Sequence, residues 1–236
     1  MGSKKIKLCV VIPSFNEENV IEDVITNTKK VFHKSPFDFT ILCIDDGSKD
    51  KTAQIAKKNG ALVIRHVLNT GAGGATATGL SFAEQNGYDI AATMDADGQH
   101  APEDVLAGVM TLIDKDVDLL IGSRLINTEG MSRVKVIGNK GLSFITYVLF
   151  GINSTDSQSG LRIFSRTALE RLRWKTSGYE FCSEMLWRAK QQKMKIDEYS
   201  IQAIYTDYSK AKGQNNWNGI NIVKSLLRRR ITEMFE

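Results

Sequence analysis

The sequence predicts an α/β fold, a mostly parallel sheet flanked by helices. Three observations point there. Short apolar runs recur through the first half of the chain, with the length and composition of buried strands. Helix-forming stretches separate them, and strands that alternate with helices build parallel βαβ units through right-handed crossovers. The runs lead into acidic residues, Glu17, Asp46, Asp95 and Asp97. In sheets of this kind ligands bind outside the carboxyl ends of the strands, so the four carboxylates are expected along one edge, around one site.

Taken in order, Ile6 to Ile12 is a continuous apolar strand that ends at Pro13-Ser14-Phe15-Asn16-Glu17. Ser14 or Asn16 can cap the next helix, and Glu17 and Glu18 suit its first turn, where the helix dipole favours carboxylates. That helix is expected to reach Phe32. Phe39 to Ile44 is the second strand; Asp45-Asp46-Gly47-Ser48 closes it, and a helix from Lys49 to Asn59 follows, stopped by Gly60. Ala61 to Val67 is the third strand. A glycine-rich turn from Asn69 to Gly74 then opens a helix to about Asn86. Tyr88 to Met94 is the fourth strand, Pro102 to Asp114 a helix with Pro near its start, and Asp118 to Gly122 the fifth strand.

The second half is less regular. Leu125 to Lys135 reads as a loop carrying the basic pair Arg133 and Lys135, and Leu142 to Phe150 is almost wholly apolar. Asp156 to Arg162 opens a short strand, Ser165 or Thr167 caps a helix to Arg171, and Tyr179 to Gln191 is a further helix. Lys195 to Tyr205 is a strand with partial alternation. Asp207 to Asn218 is a basic loop, and Gly219 to Phe235 a terminal helix. The domain division that follows is 1–215 for the main domain and 216–236 for a basic amphipathic helix.

Composition excludes several classes. The 236 residues are 42% hydrophobic and 25% charged, with 3 Pro and a formal net charge of +4, as expected of an ordinary globular chain. So mild a basic excess, with no aromatic-basic surface motif, gives no footprint for nucleic acid. The 3 cysteines lack metal spacing and fall in predicted strands and a helix, so buried thiols in a reducing compartment are expected. No signal peptide opens the chain, and no apolar stretch approaches the ~18 residues of a membrane span. A cytoplasmic protein is expected.

The chemistry concentrates at Thr93-Met-Asp-Ala-Asp-Gly-Gln-His100. Asp95 and Asp97 stand two apart at a strand end, and in extended backbone such side chains point the same way. Both can reach one hard divalent cation, with Gln99 as a neutral oxygen ligand; Mg²⁺ and Mn²⁺ take few protein ligands and leave positions for substrate phosphates. His100 adjoins the pair and can support it, whereas His33 and His66 read as surface residues. The glycine-rich turn places Thr76 where a dinucleotide fingerprint needs its third glycine. It can hold an anion at the helix N-terminus or serve tight packing.

Pro13-Ser-Phe-Asn-Glu17, Asp45-Asp-Gly-Ser48, Asp95-Ala-Asp-Gly-Gln-His100, Gly122-Ser-Arg124 and Asp156 through Arg162, in this order, resemble glycosyltransferase family 2, with the GT-A (Rossmann-like) fold. Within it the chain is most similar to the polyprenyl-phosphate sugar synthases, dolichyl-phosphate mannose synthase among them. The resemblance covers about the first 210 residues. It implies that Pro13, Phe15, Glu17, Ile44 and Asp46 line the pocket for the donor's base and ribose. Asp95, Ala96, Asp97 and Gln99 would hold Mg²⁺ or Mn²⁺ and the diphosphate. Ser123, Arg124 and Arg133 would face the acceptor phosphate, and Lys210 or Lys212, before Gly213, would close over the pyrophosphate. The family usually has Arg at that last position, and many members carry transmembrane helices after the catalytic domain.

The implied reaction is an inverting hexose transfer from a UDP- or GDP-sugar to a polyprenyl phosphate. A phosphate monoester acceptor is already largely dianionic, its second pKa being about 6, and needs positioning, not a general base. A hydroxyl on a glycan or protein is the alternative acceptor and needs a carboxylate base. Asp156 or Glu184 would supply it, unless Asp156 caps or pairs with Arg162 and Glu184 is a solvated helix residue. A nucleotide-sugar-binding module without catalysis is the reading from another class. A lipid acceptor also requires a membrane surface. In the terminal helix, Ile220, Val223, Leu227, Ile231 and Met234 form an apolar stripe, with Lys224, Arg228, Arg229 and Arg230 largely off it. Such a helix can lie peripherally on the inner face of an anionic membrane or pack on the domain. Leu142 to Phe150, or an integral membrane protein partner, would be other anchors.

Overall fold

The computed structural model describes residues 5–204 and 223–227. Seven strands form one sheet: β1 (Lys7–Ser14), β2 (Asp38–Asp45), β3 (Leu62–Arg65), β4 (Ile90–Thr93), β5 (Leu119–Ser123), β6 (Arg162–Ser165) and β7 (Ile196–Ser200). Among the described residues the helices that connect or cover them are α1 (Ile21–Phe32), α2 (Thr52–Lys58), α3 (Ala72–Gln85), α4 (Pro102–Lys115), α5 (Arg133–Phe150), α6 (Arg166–Arg171) and α7 (Phe181–Gln191), besides the short helical stretch 223–227. The strand order is β3-β2-β1-β4-β6-β5-β7.

All pairings are parallel except those of β6, which runs antiparallel to β4 and to β5. Six strands therefore end on one edge. The reversed β6 begins there, so the loop before it, residues 156–161, arrives at the edge where β1, β2, β4 and β5 finish. That reversal brings the second half of the chain to the first half's site.

The core follows from strand alternation. Along β1, Cys9 and Val11 point into one layer with Leu80 and Ala83 of α3 and Met185 and Leu186 of α7. Leu8, Val10 and Ile12 point into the other with Ile21 and Ile25 of α1 and Val105 and Val109 of α4. Each fully buried Val, Leu, Ile or Met among them contributes about 1.5–3 kcal/mol. All three cysteines are buried and unbridged, and burial pushes the Cys9 thiol up to about 12, so these are inert thiols.

Local chemistry explains the element ends. Pro102 starts α4, with Glu103 and Asp104 in its first turn. Ser165 caps α6 by accepting from the Ala168 amide, and Ser132 caps α5 by accepting from that of Lys135. α1 departs from expectation. Neither Ser14 nor Asn16 caps it; the helix starts later, and the Glu17 carbonyl accepts from the Val20 and Ile21 amides. Asn16 takes a left-handed φ of 55°, and its Oδ1 accepts from the Lys49 amide at 2.9 Å, which ties the loop after β1 to the loop after β2. The apolar stretch Leu142–Phe150 is the second half of the 18-residue α5. No helix among the described residues is long and apolar enough to cross a membrane.

Residues 223–227 are helical. Leu226 is buried in the core layer that α3 and α7 share, whereas Leu227 is 44% exposed. Leu227 belongs to the stripe expected from sequence and Leu226 does not, yet it is Leu226 that the domain buries.

Candidate active site

The site lies at the edge where β1, β2, β4 and β5 end. β4 stops at Thr93, and Ala96 and Asp97 sit in a turn that Gly98 closes with φ of 75°. Asp95 and Asp97 are thus not juxtaposed by strand alternation, as the sequence implied, but by this turn. The turn is held from several sides. Thr93 Oγ1 donates to the Gly160 carbonyl at 2.7 Å. Gln99 donates to Asp97 twice, from its backbone amide at 3.0 Å and its side-chain amide at 2.5 Å. His100 Nδ1 accepts from the Asp95 amide at 3.1 Å. The His100 ring is buried, and desolvation, then the charge of Arg124, pushes its pKa down to about 4. It is neutral at pH 7, so its 3.7 Å approach to the Asp95 carboxylate is no ion pair.

The Asp95 side chain is 48% exposed. Desolvation by the protein packed around it raises its pKa; Arg124 opposes this and Glu17 reinforces it. Burial, then the charge of Asp95, raises the pKa of Asp97. Two neighbouring carboxylates that repel each other are a site prepared for positive charge. Gly160 leaves the room, since a Cβ there would collide with the Asp95 carboxylate.

Opposite stands a cationic group. Arg124 follows β5, and its Nε and a terminal nitrogen donate to the two oxygens of Asp156 at 2.7 and 2.9 Å, a bidentate pair with the carboxylate fully buried. Asp156 accepts from the Arg124 amide as well. Lys135, in the first turn of α5, lies close enough to Arg124 and Asp97 to respond to both: burial, then Arg124, lowers its pKa, and Asp97 opposes. Arg133 is exposed at the start of α5. Tyr179 is exposed at 57% and responds to Asp95 and Asp97, which add to the burial that raises its pKa.

On the β1–β2 side, Phe15 is 40% exposed and Glu17 nearly buried; the Glu17 amide donates to Thr52 Oγ1 at 2.8 Å. Asp46 is buried and fully engaged. Its Oδ1 accepts from His66 Nδ1 at 2.7 Å and from the Thr70 amide and hydroxyl, and its Oδ2 from the Gly71 amide at 2.8 Å. Burial would raise its pKa, but these hydrogen bonds outweigh burial and lower it. His66 is therefore a partner of Asp46 and not a plain surface residue.

Several expected site residues have other tasks. Ile44 is fully buried among core side chains; Ala96 is likewise core. Ser123 is fully buried, its hydroxyl 2.6 Å from Thr155 Oγ1 and accepting from the Leu125 amide, so it shapes the loop and cannot touch an acceptor. Asp156 pairs with Arg124, not Arg162, and both its oxygens accept from that arginine. Glu184 is buried and not solvated; it accepts from the Lys175 and Thr176 amides. That braces residues 176–178, and the Ser177 carbonyl accepts from the Gly73 amide at 2.7 Å. A Cβ at Gly71 or Gly73 would meet this segment, so the glycine-rich turn serves close packing. Pro13, next to last in β1, pairs with Ile44 of β2. Lys210 and Lys212 lie outside the described residues.

Arg162 was missed as anything but a partner for Asp156. It is fully buried and donates to the carbonyls of Ser157, Ser159 and Cys182, which shapes the loop that carries Asp156 and Gly160.

The family model described as "Glycosyl transferase family 2" matches residues 9–173. The chain belongs to this family. An uncharacterized protein of Methanocaldococcus jannaschii is 43% identical over 232 residues, covering 96% of this chain and 93% of the relative. The UDP-N-acetylglucosamine–dolichyl-phosphate N-acetylglucosaminyltransferase of Methanococcus voltae is 42% identical over 251 positions, covering 96% of each chain. Among solved structures, the glucosyl-3-phosphoglycerate synthase of Mycobacterium tuberculosis in complex with Mn²⁺, UDP and phosphoglyceric acid superposes with a TM-score of 0.69. It is 19% identical, and the match covers 95% of this chain and 78% of that one. At that identity the likeness concerns the fold, which is the GT-A fold of this family.

Proposed function

We propose that this family 2 glycosyltransferase moves a hexose from a nucleoside diphosphate sugar to a polyprenyl phosphate, with inversion at the anomeric carbon. One observation carries the choice of acceptor. Asp156 and Glu184, the carboxylates that would serve a hydroxyl acceptor as base, are buried and fully engaged, while the cations Arg124 and Lys135 face the acidic pair. A phosphate acceptor needs cations and no base. The relative that acts on dolichyl phosphate supports the same choice.

In this reading Asp95 and Asp97 hold Mg²⁺ or Mn²⁺. Among the described residues no third His, Cys, Asp or Glu joins them in a metal-binding group, which fits cations that complete their shells with substrate phosphates. When bound, the cation stabilises negative charge on the leaving diphosphate. Phe15 and Glu17 border the donor pocket, and Asp46 holds the loop beside it. Gln99 orients Asp97. Arg124, locked by Asp156, with Lys135 and Arg133, places the acceptor phosphate. One of its oxygens forms the bond to the anomeric carbon, the bond from that carbon to the diphosphate oxygen breaks, and the nucleoside diphosphate leaves with the electron pair. Attachment is peripheral, at the inner membrane face.

The test is a screen of UDP- and GDP-sugars with Mn²⁺ and a short polyprenyl phosphate. Release of nucleoside diphosphate that depends on the lipid phosphate is expected. Transfer to a glycan hydroxyl with none to the lipid phosphate would overturn the reading.

A further inference from the structure

Arg124 is held by more than Asp156. β7 lies beside β5 at the end of the sheet, and its Glu198 pairs in register with Ile121. The Glu198 carboxylate binds two consecutive residues of the segment between α5 and β6. Oε1 accepts from the Ser154 hydroxyl at 2.6 Å and the Thr155 amide at 3.0 Å. Oε2 accepts from the same amide at 3.1 Å and from the Thr155 hydroxyl at 2.5 Å. Two hydroxyls and an amide converge on this group, which as a carboxylate only accepts. The Thr155 hydroxyl proton therefore points at Glu198. Ser123 Oγ, 2.6 Å from Thr155 Oγ1, then donates to it, and accepts in turn from the Leu125 amide at 3.2 Å. The result is a chain of hydrogen bonds with one direction, from Leu125 through Ser123 and Thr155 to Glu198. It brackets Arg124. Residues 123 and 125 are tied through Thr155 to Glu198, while the Arg124 amide and guanidinium are tied to Asp156, the residue after Thr155.

We infer that Glu198 is a positioning residue for acceptor binding, one that fixes the Arg124 guanidinium through Thr155 and Ser123; this rests on the proposed phosphate acceptor at Arg124. Two features favour that role over a brace for the fold. The chain ends on a charge, and a hydrogen bond to an ionised group is roughly twice as strong as a neutral one, so Glu198 sets the polarity of both hydroxyls before it. The segment is also fastened from its other side. Ser143 of α5 donates to the Thr155 carbonyl at 3.1 Å and accepts from the Ser157 amide at 3.0 Å. What Glu198 adds is direction at Ser123 and Thr155, on either side of the arginine and its carboxylate. A phosphate contact needs that precision, since about an ångström of misplacement costs on the order of a hundredfold.

The test is steady-state transfer to a short polyprenyl phosphate, with donor and acceptor varied in turn. Glu198→Gln keeps the size of the side chain but offers the three donors one acceptor oxygen and an amide donor. It should raise the acceptor KM at least about tenfold, as loss of a charge-assisted hydrogen bond implies, and leave the donor KM unchanged. Thr155→Val, which removes the hydroxyl, should give the same split. Thr155→Ser, which keeps it, should retain the wild-type acceptor KM. A role confined to folding would lower the melting temperature and the active fraction, hence kcat, and leave both KM values alone. That pattern in Glu198→Gln, or an equal rise in both KM values, overturns the inference. So do equal acceptor KM values in Thr155→Ser and Thr155→Val, and this pair decides alone if Glu198→Gln does not fold. A wild type that transfers nothing to the lipid phosphate defeats the reading beneath, and the positioning role with it.

Discussion

At the scale of single residues, the site is built from groups whose charge is set by neighbours. Asp46 is the clearest. Hydrogen bonds from His66, Thr70 and Gly71 keep its carboxyl below the ordinary 3.8 despite burial. A carboxylate with a depressed folded pKa contributes stability above its unfolded pKa and loses it as pH falls through the folded value. Asp46→Asn should therefore cost about 2 kcal/mol at pH 7, the scale of charged hydrogen bonds, and should flatten the decline in stability below about pH 4. Denaturant titrations of both proteins between pH 2 and 7 measure this, and parallel curves would refute the role. Asp97 is a different case. Burial, then its neighbour Asp95, opposes its ionisation, and the hydrogen bonds from Gln99 offset only part of that cost; a bound cation would offset more. Asp97→Ala should nearly abolish Mn²⁺-dependent transfer with little loss of stability, and wild-type activity that survives excess EDTA would contradict the assignment. These carboxylates were legible from sequence because an acidic pair at the end of an apolar run is rare without a reason. The partners were not, since His66 reaches Asp46 across 20 residues and nothing local marks it.

At the scale of elements, the decisive piece is the loop before β6. Alternating strands and helices gave the parallel half of the sheet nearly residue for residue. Nothing in local pattern announced that β6 would enter between β4 and β5 in the opposite sense, because strand direction is a tertiary property. That reversal places Gly160 against Asp95 and Asp156 against Arg124. Gly160→Ala should fold, since its backbone φ is ordinary and the obstructed atoms are the movable end of a side chain. It should displace the Asp95 carboxylate and lower kcat by roughly a hundredfold, the penalty of about an ångström of misplacement, with the melting temperature nearly unchanged. A variant with normal kcat would show that Asp95 tolerates the shift. Arg162 holds the same loop by a planar fork onto three carbonyls, which a lysine cannot reproduce. Arg162→Lys should destabilise by roughly 3 kcal/mol, read by denaturant unfolding.

At the scale of the whole molecule, the two halves of the chain meet through the sheet, in the layer where α3 packs against α6 and α7, and at the reactive edge. The first half carries Glu17, Asp46, Asp95 and Asp97, and the second carries Arg124, Asp156 and, on α5, Lys135. In the first half the pattern points to the strand ends that carry these carboxylates, Glu17 after β1, Asp46 after β2, and Asp95 and Asp97 after β4. In the second half the pattern points to Arg124 and the basic pair, but not to which member of the pair faces inward; helix phase decides that, and a stretch whose pattern suggests a loop up to Lys135 gives no phase, whereas α5 begins at Arg133. A donor that spans this edge couples to global stability, since anything bound only by the folded chain raises the melting temperature. UDP or GDP with Mn²⁺, at a hundredfold excess over Kd, should stabilise the protein by about 2.7 kcal/mol, a shift of several degrees for a chain of this size. Nucleotide without metal should give a smaller shift, because the diphosphate would then meet two carboxylates uncompensated. Asp97→Ala should show the small shift whether or not Mn²⁺ is present. Arg124→Gln, which leaves Asp156 buried without its cation, should instead lower the melting temperature of the free protein and leave the Mn²⁺-dependent increment intact. Differential scanning calorimetry separates these patterns. A metal increment retained by Asp97→Ala, or lost in Arg124→Gln, would show that donor and acceptor functions are not divided between the halves in this way.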